Sequence, residues 1–176
     1  MSTIINGTSS AITFPDSSVQ NTSAIVSGYV PYANLPAGSV LQVVQGNLNG
    51  AVSTSSTSFV TTGLTASITP KFSSSKILII CTLANSYSGS GGTAVFETVY
   101  RNSTNIAPSG SGTSQAFATV YSISTGTISN QTFAYLDSPA TTSSTAYTAY
   151  FAVNAGTGYI NQNGVGSTIQ LLEIAA

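Results

Sequence analysis

The run Lys76-Ile77-Leu78-Ile79-Ile80-Cys81-Thr82-Leu83-Ala84 constrains the fold most, because it is the one dense block of aliphatics in the chain. It is rich in β-branched residues, too short for a good helix, and preceded by Ser73, Ser74 and Ser75. Such a run reads as a strand covered on both faces. The other apolar segments are diluted by Ser, Thr, Gly and Asn and alternate, as strands with one wet face do. No capped segment of helical period stands out.

From Ser39 onward, turn clusters and short alternating runs follow one another at close intervals. Strands are expected near Val40–Gln45, Phe59–Thr62, Leu64–Thr69, Ile77–Ala84, Ala94–Arg101, Ala116–Ile123, Ile128–Leu136, Ala146–Val153, Gly158–Asn161 and Thr168–Ile174. The fold class is therefore all-β: an antiparallel β-sandwich, jelly-roll-like, over residues 39–176. In the last strand both faces are largely apolar, which points to a central place in a sheet or to a neighbouring subunit. Residues 1–38 differ. Their apolar residues, among them Ile4, Ile5, Ile12, Phe14 and Val19, are scattered among Asn, Gly, Thr and Ser, too few for a core within one chain. An extended N-terminal arm that buries these five against other chains is the expectation.

Charge narrows the function. Charged residues make up 4% of the chain, far below the usual quarter. A surface of hydroxyls and amides suits a chain that spends much of it on contacts with copies of itself or other subunits. Three basic residues, Lys71, Lys76 and Arg101, and a net charge of −1 speak against nucleic acid, which needs a basic patch. No apolar stretch approaches the length of a membrane span, so no membrane insertion is expected. Met1-Ser2-Thr3-Ile4 carries no basic flank or long apolar segment, so synthesis in a cytoplasm is expected. The single cysteine, Cys81, excludes an internal disulfide and reads as a small buried hydrophobe.

The chain has no histidine, which excludes Ser–His–Asp and Cys–His catalysis and His-based metal sites. Its acids are Asp16, Glu97, Asp137 and Glu173. Asp16 and Asp137 precede serines in turn-like sequence, where Asp bonds the local backbone. A glycan hydrolase would have to pair Glu97 with Glu173. Glu97 is read instead as a strand residue close to Arg101 across a pleat, or facing solvent. No enzyme, cofactor or metal is expected. Tyrosine and asparagine suit sugar binding, since the ring packs on a pyranose face and the amide bonds its hydroxyls. Tyr87, Tyr159, Asn161 and Asn163 are the candidates for glycan contact.

Four stretches carry a resemblance. They are Ile12-Thr13-Phe14-Pro15-Asp16-Ser17-Ser18-Val19-Gln20; Gly38-Ser39-Val40-Leu41-Gln42-Val43-Val44-Gln45; Phe59 to Pro70 with Ser74 to Leu78; and Tyr135-Leu136-Asp137-Ser138-Pro139 with Ser167 to Ile174. Together they resemble a module of tailed-bacteriophage tail fibres and related virion proteins. Ser17 stands where the shaft signature of that family often has Gly after the Asp. The resemblance implies a homotrimeric virion protein, with residues 1–38 docking to other virion proteins and residues 39–176 forming a β-knob that contacts a host-surface glycan. A capsid decoration protein that stabilises the head is the alternative, and the Glu97/Glu173 hydrolase a second one.

Overall fold

The computed structural model describes residues 4–5, 11–13, 19–21, 30–89, 91–123 and 128–176, the first three segments by their backbone alone. The chain divides into two compact units, Met1–Ser39 and Val40–Ala176. The first unit holds three short strands, β1 (Ile4–Ile5), β2 (Ala11–Thr13) and β3 (Val19–Asn21), paired as an antiparallel meander. Ile5 lies opposite Ile12, and Thr13 opposite Val19. Phe14 and Asp16 lie outside the described residues.

The second unit is an antiparallel β-sandwich. Its principal strands are β4 (Val40–Leu48), β6 (Val60–Ile68), β7 (Lys76–Ser88), β8 (Thr93–Arg101), β10 (Ala118–Ser122), β11 (Ser129–Asp137), β12 (Thr145–Val153) and β14 (Ser167–Ile174). Three short strands join them: β5 (Val52–Thr54), β9 (Thr104–Asn105) and β13 (Gly158–Ile160). The front sheet runs β11, β7, β14, β4, with β13 pairing the C-terminal end of β7 and β5 pairing β13. The back sheet runs β10, β8, β12, β6, with β9 beside β8.

The pairings define the wrap. The pairs β4–β14, β6–β12, β7–β11 and β8–β10 are successive rungs of one long folded hairpin. The pairs β14–β7 and β12–β8 then roll that hairpin up. This is the jelly-roll route, in which every strand pair is antiparallel and the chain crosses between sheets at nearly every turn. The core lies between the sheets. Ile77, Ile79, Cys81, Leu83, Ile169 and Leu171 enter from the front; Leu64, Ile68, Val95, Val99, Tyr147 and Phe151 enter from the back.

Three details depart from the sequence expectations. First, β7 alternates: Ile77, Ile79, Cys81 and Leu83 are buried, whereas Leu78, Ile80 and Thr82 are half-exposed on the outer face. The dense aliphatic run is thus covered on one side only. Second, the segments Phe59–Thr62 and Leu64–Thr69 form one strand, Val60–Ile68. Gly63, at φ +83°, takes a bend there that a side chain resists, and the register with β12 shifts between Thr148 and Tyr150. The Thr62 hydroxyl donates to the Ala149 carbonyl at 2.9 Å across this bulge. Third, Val52–Thr54 and Thr104–Asn105 add strands too short to show a period.

Candidate functional site

The described acids do structural work. Arg101 Nη1 donates to both oxygens of Asp137 at 2.9 Å, and the buried Tyr147 hydroxyl donates to Asp137 Oδ2 at 2.7 Å. Asp137 is therefore the last residue of β11 and the hub of an ion pair, not a turn residue bonding its own backbone. Arg101 is committed to it, so the expected Glu97–Arg101 approach does not occur. Burial, and then the bond to Asp137, push the Tyr147 hydroxyl well above its ordinary range.

Glu97 neither pairs nor faces solvent. It points into the sandwich, fully buried, and neither carboxylate oxygen meets hydrogen-bond geometry with a described group, the neighbouring Ser86 hydroxyl included. Burial pushes its carboxyl up to about 7, with the Ser86 hydroxyl pulling partly back. The Cys81 thiol is raised by its own burial and further by the Glu97 charge, so it is no nucleophile. Glu173 is also fully buried. Its Oε1 accepts the Lys71 backbone N–H and its Oε2 accepts Gln42 Nε2, each at 2.6 Å, which ties the C-terminal strand to the β6–β7 loop. Two carboxylates sealed inside a core cannot flank a glycosidic bond with water between them, so the Glu97/Glu173 pairing fails on geometry. Among the described residues no cluster of acids and cysteine could hold a metal ion.

Of the four glycan candidates, the structure brings two together. Tyr87 on β7 lies opposite Tyr159 on β13, and their rings stack at 4.7 Å and 12°. Asn161 does not join them. It is fully buried in the left-handed region at φ +59°, its amide donates to the Leu48 carbonyl at 2.7 Å, and its Oδ1 accepts the Ser167 hydroxyl. Those bonds anchor the β13–β14 connection and leave the side chain no face for a sugar. Asn163 is exposed in the short 3-10 turn that follows.

What the residue-by-residue reading missed is a surface made by register. On the outer face of the front sheet, Leu136 lies opposite Leu78, Leu78 opposite Leu172, and Leu172 opposite Val43. Four aliphatics thus cross four strands in one row. Ile80 and Ala134 flank it on one side, Ile174 and Val40 on the other. Val43 is 60% exposed, Val40 49% and Leu136 46%. The Ile80 row turns to amides on its other two strands, where Gln170 Nε2 donates to Gln45 Oε1 at 3.1 Å. Next comes a hydroxyl row, where Thr82 and Thr132 share a hydrogen bond of 3.0 Å. Lys76, at the rim, is the one charged residue on this face among the described residues. The mixed faces of 169–174 signalled it in the sequence; the alignment of four strands did not.

No family model matches the chain, and no curated protein matches it. Among solved structures the chain is similar to one described as "Structure of infectious bursal disease virus Gx strain", at 13% identity and a TM-score of 0.41. The match covers 78% of this chain and 33% of that one, so the chain spans about a third of the length of the structure it matches. At that identity and score the likeness carries no functional weight.

Proposed function

We propose that the chain is a non-enzymatic structural component of a virion, a homotrimer whose subunits meet through the outer face of the front sheet. The aliphatic row Leu136–Leu78–Leu172–Val43 carries this reading. Exposed and half-exposed aliphatics aligned across four strands, in a chain with few charged residues, suit burial against another protein. A second copy is the occupant that suits it. The face has no charge pattern to select a charged partner, and its amide and hydroxyl rows can donate and accept with their own kind.

Strand spacing sets the size of the face. Four strands about 4.8 Å apart, each about eight residues at about 3.3 Å, present about 500 Å². Around a three-fold axis each subunit divides that face between two neighbours, so three such faces remove at most about 1,500 Å² in total. The sequence resemblance supplies the virion setting, with residues 1–38 docking to other virion proteins and the tail fibre as its place. The jelly roll is compatible with that role, although the fold hosts other functions as well.

The test is to count copies of the chain per purified particle by quantitative mass spectrometry and to locate them with labelled antibodies. A few to dozens at the tail supports the fibre. Hundreds over the head would replace it with a capsid decoration protein. Absence from particles would end the virion reading.

A further inference from the structure

The back sheet carries a second surface feature, independent of the assembly face. On its outer side, between residues 57–59 and the segment 105–115, lies an open cleft of about 250 Å³. Tyr100 and Phe59 supply its aromatic walls. Their rings meet edge to face at 6.3 Å, and Tyr150 backs Tyr100 in a stack at 4.1 Å. Both rings are therefore held before any ligand arrives.

The rest of the lining is polar, and its framework is fixed. Asn105 Oδ1 accepts the Thr98 hydroxyl at 2.7 Å and the Ala107 N–H at 3.0 Å, while its Nδ2 donates to the Gln115 carbonyl at 2.8 Å. Gln115 Nε2 donates to the Ala107 carbonyl at 3.2 Å. These bonds close the 105–115 segment over the sheet. They leave Gln115 Oε1 and the hydroxyls of Thr57, Ser58 and Thr113 to a ligand. Among the described residues no charged side chain lines the cleft.

We propose that this cleft binds one ring of a neutral carbohydrate. An aromatic wall offers a flat apolar surface to the C–H face of a pyranose. A few fixed acceptors and hydroxyls set the orientation of its hydroxyl groups. The absence of charge disfavours phosphate, uronic acids and acidic peptides. The hydroxyl-rich lip disfavours a purely apolar guest. The volume holds a single sugar ring, and the open mouth lets the rest of a glycan project outward. The cleft and the aliphatic row lie on outer faces of opposite sheets, so assembly through the front sheet leaves the cleft accessible. It is also separate from the Tyr87–Tyr159 pair, which sits on the front sheet.

The experiment is a titration of the isotope-labelled full-length chain with neutral methyl glycosides (glucoside, galactoside, mannoside and N-acetylglucosaminide) to about 50 mM, followed by amide chemical shifts. The high concentration matches the millimolar affinity of one stacked ring with few hydrogen bonds. At least one glycoside is expected to move the resonances of residues 57–59, 100, 105 and 112–115 saturably. Thr113→Trp, which fills the cleft from a surface position, is expected to weaken binding at least tenfold. Thr119→Trp, exposed on β10, is expected to leave it unchanged. If Thr113→Trp does not fold, Phe59→Ala replaces it with the same expected loss. No saturable shift with any glycoside, shifts confined to other residues, or binding that survives the cleft variants would each overturn the proposal.

Discussion

Glu97 is the residue at which this core departs from apolar packing. It is a carboxyl buried in the sandwich with no hydrogen-bond partner for either oxygen among the described residues, and its chemical neighbours are Cys81 and Ser86 on the facing β7. Its ordinary value of 4.5 rises to about 7 in the folded protein, so the folded state holds this proton more tightly than the unfolded chain. The associated stability is fully present below about pH 4.5. It declines as pH rises to about 7 and stays lost above that, a fall of about 3 kcal/mol. Denaturant midpoints measured from pH 4.5 to 8 are expected to drop accordingly in the wild type and to flatten in Glu97→Gln. An unchanged slope in the variant would assign the dependence elsewhere. Asp137 works in the opposite sense, as a satisfied acceptor. Asp137→Ala strands the Tyr147 hydroxyl and the Arg101 guanidinium together, and chemical denaturation is expected to register a loss of about 2–3 kcal/mol.

At the scale of elements, β7 supplies an internal comparison, because neighbouring residues face opposite ways. Ile79 is in the core and Leu78 on the outer face. Ile79→Ala is expected to cost about 2–5 kcal/mol in unfolding experiments, through lost burial and a residual cavity. Leu78→Ala is expected to cost the isolated subunit under about 1 kcal/mol. Equal losses would mean that the outer face is core after all. A second element-scale contact joins the sheets where β4 meets β6. A Cβ on Gly46 would fall 2.0 Å from the Thr65 carbonyl oxygen, so Gly46→Ala must push two backbones apart. Its thermal midpoint is expected to fall by several degrees, whereas Gly50→Ala, with open space around it, is expected to leave the midpoint nearly unmoved.

The strands were legible because period-two alternation is a local signal, and β8, β12 and β14 fall within a residue or two of the expected bounds. The merger across Gly63 was not legible, since a glycine between two alternating runs reads equally as a turn or a bulge. Cys81 is buried as its apolar neighbours required. The roles of Glu97, Asp137 and Glu173 were hidden, because their partners lie on strands distant in sequence: Asp137 with Arg101 and Tyr147, Glu173 with Gln42 and the Lys71 backbone. The same holds for the aromatic cleft, where Phe59, Tyr100 and Gln115 meet only after the sheets have rolled up.

For the whole molecule, three of the four acids are withdrawn into ion pairs, hydrogen bonds or the core, which leaves the described residues a surface of hydroxyls, amides, scattered aliphatics and two lysines, Lys71 and Lys76. Charge cannot be what keeps such a surface from associating. The aliphatic row gives association a defined place, and the rolled hairpin lines that row up across four strands. The most direct measurement is the mass of the full-length chain by sedimentation equilibrium at about 10 µM. A mass near three chains of 17.8 kDa is expected, reverting toward one chain in Val43→Glu/Leu172→Glu with the fold retained. A single 17.8 kDa species for the unaltered chain at that concentration would contradict the account.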